Sequence, residues 1–542
     1  MRTFIDAVFL LMPVLLLAQA KFTYRYNGTG NGADEAYSLA YGGASLVYVG
    51  GKSYGDGSDH DFVVVSLDNG AQRWLYRYNG AGNGPDEARS VVVGSDGNVY
   101  AGGTSRENDS SGIIVVSLTA AGAWRWTYRY DGPDSSVDCG LTLAYGADGN
   151  IYVAGKSHGI GLNNDLVVIS LGPSGNERWV YRYSSPGNGA DAAYSIVSAP
   201  DSNIYVCGHT GAYGDSSTYF TVLSLSSNGT LRWMRKLGES NAARPGHDEA
   251  YDLVLDRNRN VCAVGKSWDF YTGDDFTVVS LSPAGQQRWT FKYKGFKKRS
   301  DAAKSIACGV DSNLYVAGYS GCLGSGFDFS DQTVVSLTPA GSLRWVYLYD
   351  GPGSGSDVAS DIVAIPAFGY LTAIAGFAWG KGTYADFTIK VLTANGYLIK
   401  DYTYNGPANG WDRANAIVSD GGIRVIAAGT SQGVNTDDDF TVIEISTLGI
   451  QEELNGISHT RCHVPPIFRN AIRMELPGCS NKAIEIAVYN VLGEIIVKEE
   501  MPSTPRFHIL RGERISSMPQ GIYFLSLSSG GASQTFKIIK IE

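Results

Sequence analysis

Residues 178–210 read RWVYRYSSPGNGADAAYSIVSAPDSNIYVCGHT. Trp179, Tyr181 and Tyr183 alternate with Val180 and Arg182, the period of two that gives a strand two different faces. A loop rich in Ser, Pro and Gly follows, and Asp191 then opens a second alternating run. The turn Ala199-Pro200-Asp201-Ser202-Asn203 separates that run from a third, beginning at Ile204, as hairpin connections do. The whole stretch predicts short antiparallel strands.

The same unit recurs outward in both directions. Arg-Trp returns at Trp74, Trp126, Trp179, Trp233, Trp289 and Trp345, at spacings of 52, 53, 54, 56 and 56 residues. Phe22 fills the same slot before Trp74, and Lys400 fills it after Trp345. An Asp opens the second segment of each unit: Asp34, Asp86, Asp138, Asp191, Asp248, Asp301, Asp357 and Asp412. A third segment follows as VYVGGKS (47–53), IYVAGKS (151–157) or VIAAGTS (425–431), and a fourth as DFVVVSL (61–67) or DDFTVIEI (438–445). Four short strands in a repeat of about 52–57 residues describe a β-propeller blade, which hides its edges by radial repetition. Eight copies of every segment predict an all-β, eight-bladed propeller. The alternative has seven blades, with the weakest unit, 351–394, outside the ring. The chain begins with a lone Trp-type strand at 22–26, and the last unit ends at 443–445 without one. The N-terminal strand is therefore expected to complete the last blade.

Composition agrees with this reading. Among 542 residues there are 68 Gly and 33 Tyr, and only 18% are charged, as many strands and tight turns require. A net charge of −10 argues against binding nucleic acid through its phosphates. Residues 1–20 read as a signal peptide: Arg2, an apolar run from Phe4 to Leu17, then Ala18-Gln19-Ala20, with cleavage after Ala20. That run is too short to span a bilayer, and no transmembrane anchor is expected. The domain boundaries expected are 1–20 signal peptide, 21–450 propeller, 451–470 linker and 471–542 a small β-sandwich. Of seven cysteines, Cys207, Cys262 and Cys308 sit in apolar strand patterns, while Cys462 and Cys479 flank the start of the last domain, where a disulfide could form.

The repeated DSNIYVAGxS…DFTVVSLxPAGxxRWxYxYxG pattern resembles the secreted bacterial β-propeller repeat often described as seven-bladed. That resemblance implies fold and export but no reaction. VYNVLGEIIVKEE (488–500), MPQGIYFLSLSSGG (518–531) and the terminal KIIKIE are similar to the C-terminal sorting domain of the type IX secretion system. This resemblance implies two-step export, with the type IX-like secretion machinery as a partner and the extracellular space or outer-membrane surface as the destination.

A residue repeated in all blades cannot mark a unique site, so the departures matter more. On the face bearing the longer Gly/Asp-rich loops these are Trp268, Phe270, Tyr271, His247 (with Arg244 beside it) and the basic Lys297, Lys298 and Arg299 after Phe296. Aromatics beside charges suit a glycan or protein ligand. Asp56, Asp59 and Asp61, or Asp437, Asp438 and Asp439, offer oxygens to Ca²⁺, yet they lack the spacing of a defined calcium loop. No catalytic motif, metal triad or cofactor sequence is present. PAGQQRW (283–289) is loosely similar to the Gly-x-x-x-Trp strand of quinoprotein dehydrogenases, but vicinal cysteines are absent. The expectation is a monomeric, exported binding scaffold without catalytic residues. The alternatives are a glycan-degrading lyase or hydrolase, or a structural surface-layer component.

Overall fold

A computed structural model describes residues 20–446, apart from short loop segments at 108–109, 135–136, 160–162, 188, 212–216, 239–245, 296–299, 322–328, 354, 367–369 and 423, together with the strands between 467 and 540. Residues 1–19 of the signal-peptide assignment, residues 451–466 of the expected linker, Arg244, Phe296–Arg299, Cys322, Cys462 and Cys479 lie outside the described residues, while Ile467–Phe468 at the end of that linker is a strand. The chain divides into two compact units, residues 1–447 and 448–542.

The first unit holds eight four-stranded antiparallel sheets. Each blade is lettered a to d outward from the axis. In blade 4 these strands are Ala192–Ser198, Ile204–Gly211, Thr218–Leu225 and Leu231–Leu237. The weak seventh unit is a full blade, with strands Val358–Ile365, Leu371–Trp379, Ala385–Leu392 and Leu398–Tyr404. Blade 8 takes its outer strand from the other end of the chain. Ala20–Tyr26 pairs antiparallel with Asp438–Ser446, Thr23 facing Ile443 and Tyr26 facing Phe440. The ring is thus closed by backbone hydrogen bonds.

Strands b and c are buried on both faces, as in LVYVGGKSY (46–54) and HDFVVVSLD (60–68), so they read as nearly continuous apolar runs. Strand d shows one face to the solvent and lays its aromatic stripe on the next blade. Trp126 Nε1 donates to Pro173 O at 3.0 Å and Trp179 Nε1 to Ser227 O at 2.9 Å, both carbonyls lying in the c–d turn of the following blade. That turn needs a glycine for two reasons. Gly175 has φ +85°, and a Cβ there would lie 2.6 Å from the Trp126 ring. Blade 8 has no c–d turn, because its strand d is the N-terminus, and the matching slot on blade 7 holds Lys400 in place of Trp. Phe22, on that N-terminal strand, covers Gly70 of blade 1.

The repeated Asp is a buried clasp. Asp191 accepts from Ser185 N at 2.6 Å and from Gly211 N at 2.9 Å, while its own N–H donates to Asn164 O of the preceding blade at 2.8 Å. Asp34 repeats this with Gly28 N, Tyr54 N and Asp438 O. The carboxylate meets donors that burial would otherwise leave unpaired.

The second unit contains a five-stranded sheet and a two-stranded sheet. Within the former, Ile486, Ala487 and Val488 of Ile484–Tyr489 are buried with Leu525 of Gly521–Ser529. Ile467–Phe468 adds a parallel edge to Ala532–Lys540 that alternation alone does not announce.

Replacing Asp191 with Ala strands two buried amides. Urea unfolding of the propeller is expected to show a loss of about 2–5 kcal/mol, and a loss below roughly 0.5 kcal/mol would refute the clasp.

Candidate functional site: the channel mouth

Strand a lines the axis, and its sequence columns explain the channel. Two residues after the clasp, every blade carries a small residue: Ala36, Ala88, Gly140, Ala193, Ala250, Ala303, Ala359 and Ala414. Neighbouring inner strands converge here, and nothing larger fits. The next residue is a β-bulge in all eight blades, as between Ala36 and Ser38 or Ala193 and Ser195. A bulge re-aims its side chain. These eight residues are Tyr37, Arg89, Leu141, Tyr194, Tyr251, Lys304, Ser360 and Asn415, and all line one cavity of about 320 Å³ on the axis. The most constant column therefore sits beside the most variable one.

The residue after the bulge builds a girdle below them. Ser38 Oγ accepts from Val91 N of the next blade at 3.1 Å, and Ser90 Oγ from Leu143 N at 3.2 Å. In blades 5 and 7 the position is Asp: Asp252 accepts from Ile306 N at 3.0 Å and Asp361 from Ile417 N at 2.8 Å. Asn415 Nδ2 closes the circle on Ala36 O at 2.8 Å. Ser305 Oγ lies 3.0 Å from Asp252 Oδ2 and 2.7 Å from Asp361 Oδ1. A hydroxyl has one proton, so both contacts are hydrogen bonds only while one carboxyl carries a proton. Asp252 accepts from Leu253 N, Ser195 Oγ and Ile306 N, and Asp361 from Ile362 N and Ile417 N. Burial raises both carboxyls; that of Asp361, with the Asp252 charge adding to burial and its hydrogen bonds opposing, is pushed up to about 6. The carboxylates are saturated by protein donors and leave no open set of metal ligands.

Above the girdle the mouth is charged and aromatic. The Arg89 guanidinium lies 4.4 Å from the Tyr37 ring centre, and Lys304 Nζ lies 4.3 Å from that of Tyr251. Lys52 sits between Glu35 at 3.6 Å and Glu87 at 3.7 Å, Lys266 lies 3.9 Å from Glu249, and Arg413 is 3.8 Å from Glu35. Burial pushes the Lys304 amine down from its ordinary value. It also lowers His209, whose ring lies 5.3 Å from that of Tyr194, to about 4. Asp274 lies 3.3 Å from Lys266 and Asp438 3.8 Å from Arg413, so the mouth sets five cations (Lys52, Arg89, Lys266, Lys304, Arg413) against five carboxylates, and Arg89 and Lys304 are the ones that lie over tyrosine rings.

The residues singled out in the sequence lie elsewhere. Trp268 closes strand Val261–Asp269, donates its N–H to Asp248 Oδ1 at 2.6 Å and covers Gly246. Phe270 packs edge-on between Trp268 and Tyr271 and is 59% exposed, with Tyr271 at 67%. His247 is exposed beside them, and Lys297, Lys298 and Arg299 fall outside the described residues. None of the four described residues lines the channel. The signal that would have found the mouth is the column three residues after each clasp Asp, which varies widely directly after a column that is always Ala or Gly. The acidic clusters offered to Ca²⁺ are instead partly consumed in ion pairs, Asp61 with Arg77 and Asp439 with Arg25.

Residues 469–542 match the family described as the secretion system C-terminal sorting domain. The chain ends in a sorting domain of this kind. Residues 61–314 match the family described as outer membrane protein assembly factor BamB, a PQQ-like propeller repeat. The type IX sorting tail implies delivery to the exterior or to the outer-membrane surface and contact with the secretion machinery. No helix among the described residues is long and apolar enough to cross a membrane. No curated protein matches the sequence. Similar solved structures include Sqt1 from Chaetomium thermophilum (11% identity, 79% of this chain and 99% of that one, TM-score 0.48). Another is PorZ, a surface component of the type IX secretion system of Porphyromonas gingivalis (11%, 94% and 81%, TM-score 0.25). A third is the polysaccharide lyase Uly1 (9%, 75% and 88%, TM-score 0.39).

Asp361 has its folded pKa raised to about 6, above the ~3.9 of an unfolded Asp, so its contribution to stability is full below ~4 and is lost as pH rises through 6. Asp361→Asn mimics the protonated form. Its melting temperature relative to wild type should climb between pH 4.5 and pH 8, and a difference that stays flat across that range would refute the shared proton.

Proposed function

We propose that this protein is an exported, non-enzymatic binding propeller that takes an anionic extracellular glycan at its channel mouth. The observation that carries this reading is the bulge column: eight positions carrying six kinds of side chain, three of them tyrosine, converge on one cavity while the column before them stays Ala or Gly. Tyr37, Tyr194 and Tyr251 offer ring faces with hydroxyl tips, which suit a sugar. Arg89 and Lys304, which line the cavity beside those rings, favour a carboxylate or sulfate on that sugar. Phe270, Tyr271 and His247, exposed beside half-buried Trp268, supply a second contact region for a long chain. Export proceeds by cleavage after Ala20 and then by the sorting domain.

Binding of a polyuronate or sulfated polysaccharide should exceed binding of a neutral glucan and weaken as salt rises. Arg89→Ala combined with Tyr194→Ala should reduce that affinity by about tenfold or more. Equal binding of neutral and anionic polymers by wild type and variant would reject the site. Release of unsaturated or reducing ends during the assay would establish the glycan-degrading alternative.

Two measurements address export. A chain lacking residues 469–542 should accumulate in the periplasm, and its normal delivery to the surface would reject the sorting role. Mass spectrometry of mature protein should find Lys21 at the N-terminus, and an intact Met1 would remove the signal peptide.

A further inference from the structure

The repeats serve as controls for one another at the top of strand d. In blade 3, Arg182 of strand d crosses to Asp165 of strand c. Its Nε donates to Asp165 Oδ2 at 2.7 Å, its Nη1 to Ser157 Oγ at 2.7 Å and to Tyr130 OH of the preceding blade at 3.3 Å, and its Nη2 to His158 O at 2.6 Å. Blade 8 repeats the set with Arg25, Asp439, Ser431 and Tyr404, and blade 1 with Arg77, Asp61, Ser53 and Tyr26. In blade 5, Lys294 approaches Asp275 at 3.4 Å from two residues beyond the matching position, which holds Lys292. The guanidinium set therefore recurs in blades 1, 3 and 8, while blade 6 places Leu348 at the matching position with Asp331 on strand c.

Blade 7 keeps the carboxylate and lacks the cation. Strand register places Asp386 where Asp165 stands, opposite Ala378 in the place of Ser157, and Thr403 in the place of Arg182. Asp386 is 8% exposed and its Oδ1 has no hydrogen-bond partner; Asp61 Oδ1 has none either although Arg77 reaches its other oxygen, so blade 7 differs from blade 1 in the residues at 378 and 403. Thr383 Oγ1 reaches only Oδ2, at 3.2 Å. A Cβ on Gly55 of blade 1 would lie 3.2 Å from Arg77 Nη1, whereas at Gly380, its counterpart, the nearest atoms are Thr383 Oγ1 and the Asp386 carboxyl. Two residues smaller than their counterparts, Ala378 and Thr403, therefore surround an orphaned acid. Tyr349, the counterpart of Tyr130, is pushed up to about 12 by burial and then by the charges of Asp401, Asp357, Asp350 and Asp386; buried Lys390, 3.4 Å from its ring centre, is paired with Asp401 at 2.5 Å rather than with Asp386.

The turn above the slot is aromatic. Gly380 N donates to Tyr384 O at 2.8 Å and closes the turn over Asp386. Trp379, Tyr384 and Trp411 form one cluster, with Tyr384 and Trp411 stacked at 6.0 Å and Trp379 edge-on to Trp411 at 5.2 Å. Tyr384 is 53% exposed and Trp411 41%. A carboxylate beneath exposed ring faces matches a planar cation that both hydrogen-bonds and stacks, which arginine does and a hydrated metal ion does not.

We propose that the vacant slot of blade 7 binds the guanidinium of an arginine side chain on a polypeptide partner, held by Asp386 and stacked against Tyr384 and Trp411. The probe is a capped Ala-Arg-Ala peptide, with the citrulline analogue as its neutral isostere, titrated against the full chain by calorimetry. Saturable binding of the arginine peptide, at least about tenfold tighter than the citrulline peptide, is expected. Asp386→Asn should abolish that preference. Thr403→Arg supplies the missing cation from within, so it should block the peptide while raising the melting temperature, a readout that a misfolded variant would fail. Equal binding of the two peptides, unchanged binding by Asp386→Asn or by Thr403→Arg, or stabilisation by Ca²⁺ alone without peptide binding would overturn the proposal.

Discussion

Everything in the ring hangs on a carboxylate taken out of water. Asp34, Asp138, Asp191, Asp301 and Asp357 each hold the entry loop of their blade, the end of strand b and, through their own N–H, the start of strand c in the preceding blade. Desolvating a carboxylate is costly, and it is tolerated here because backbone donors converge on it. The reward is geometric. With three segments tied to one residue, strand a always enters the axis at the same height, and the bulge three residues later always turns the same column inward.

Two further devices join neighbouring blades. The Trp of strand d donates to the c–d turn of the next blade and lies flat on its glycine, so each blade is gripped at both the inner and outer ends. The seam between blades 8 and 1 shows the rule by its exception. Where the c–d turn disappears because the chain terminus supplies the strand, the Trp of the preceding blade disappears too, and Lys400 takes its position. Phe22 then plays the Trp part against Gly70. Covalent closure is unnecessary because the seven-residue terminal strand supplies a full ladder.

A scaffold held this firmly can vary its side chains wherever the clasp, the small column and the Trp do not reach. It does so at the bulge column, which gathers tyrosines and cations at the mouth, and at the outer slot, where an arginine is present in blades 1, 3 and 8 and gone in blade 7. The two variable places differ in kind. The mouth sets paired charges among tyrosine rings and is open along the axis, whereas the blade 7 slot places a buried carboxyl near an exposed ring cluster.

Much of this was legible beforehand. Repeat count, strand order, closure by the N-terminal strand and the structural role of the clasp follow from periodicity and from segments that recur at fixed spacing, because local strand patterning and ring closure are consequences of order along the chain. The sorting tail was equally legible from three motifs in sequence. The channel mouth was not. Tyr37, Tyr194 and Tyr251 lie far apart in the chain and look like ordinary strand residues; only the bulge, which depends on how crowded inner strands meet at the axis, turns them toward one another. The vacancy at Asp386 is invisible for a similar reason, since its missing partner would come from residue 403 on another strand. Order along the chain determined the ring and its export; the tertiary structure decided which side chains share a space, because that depends on register and convergence between blades.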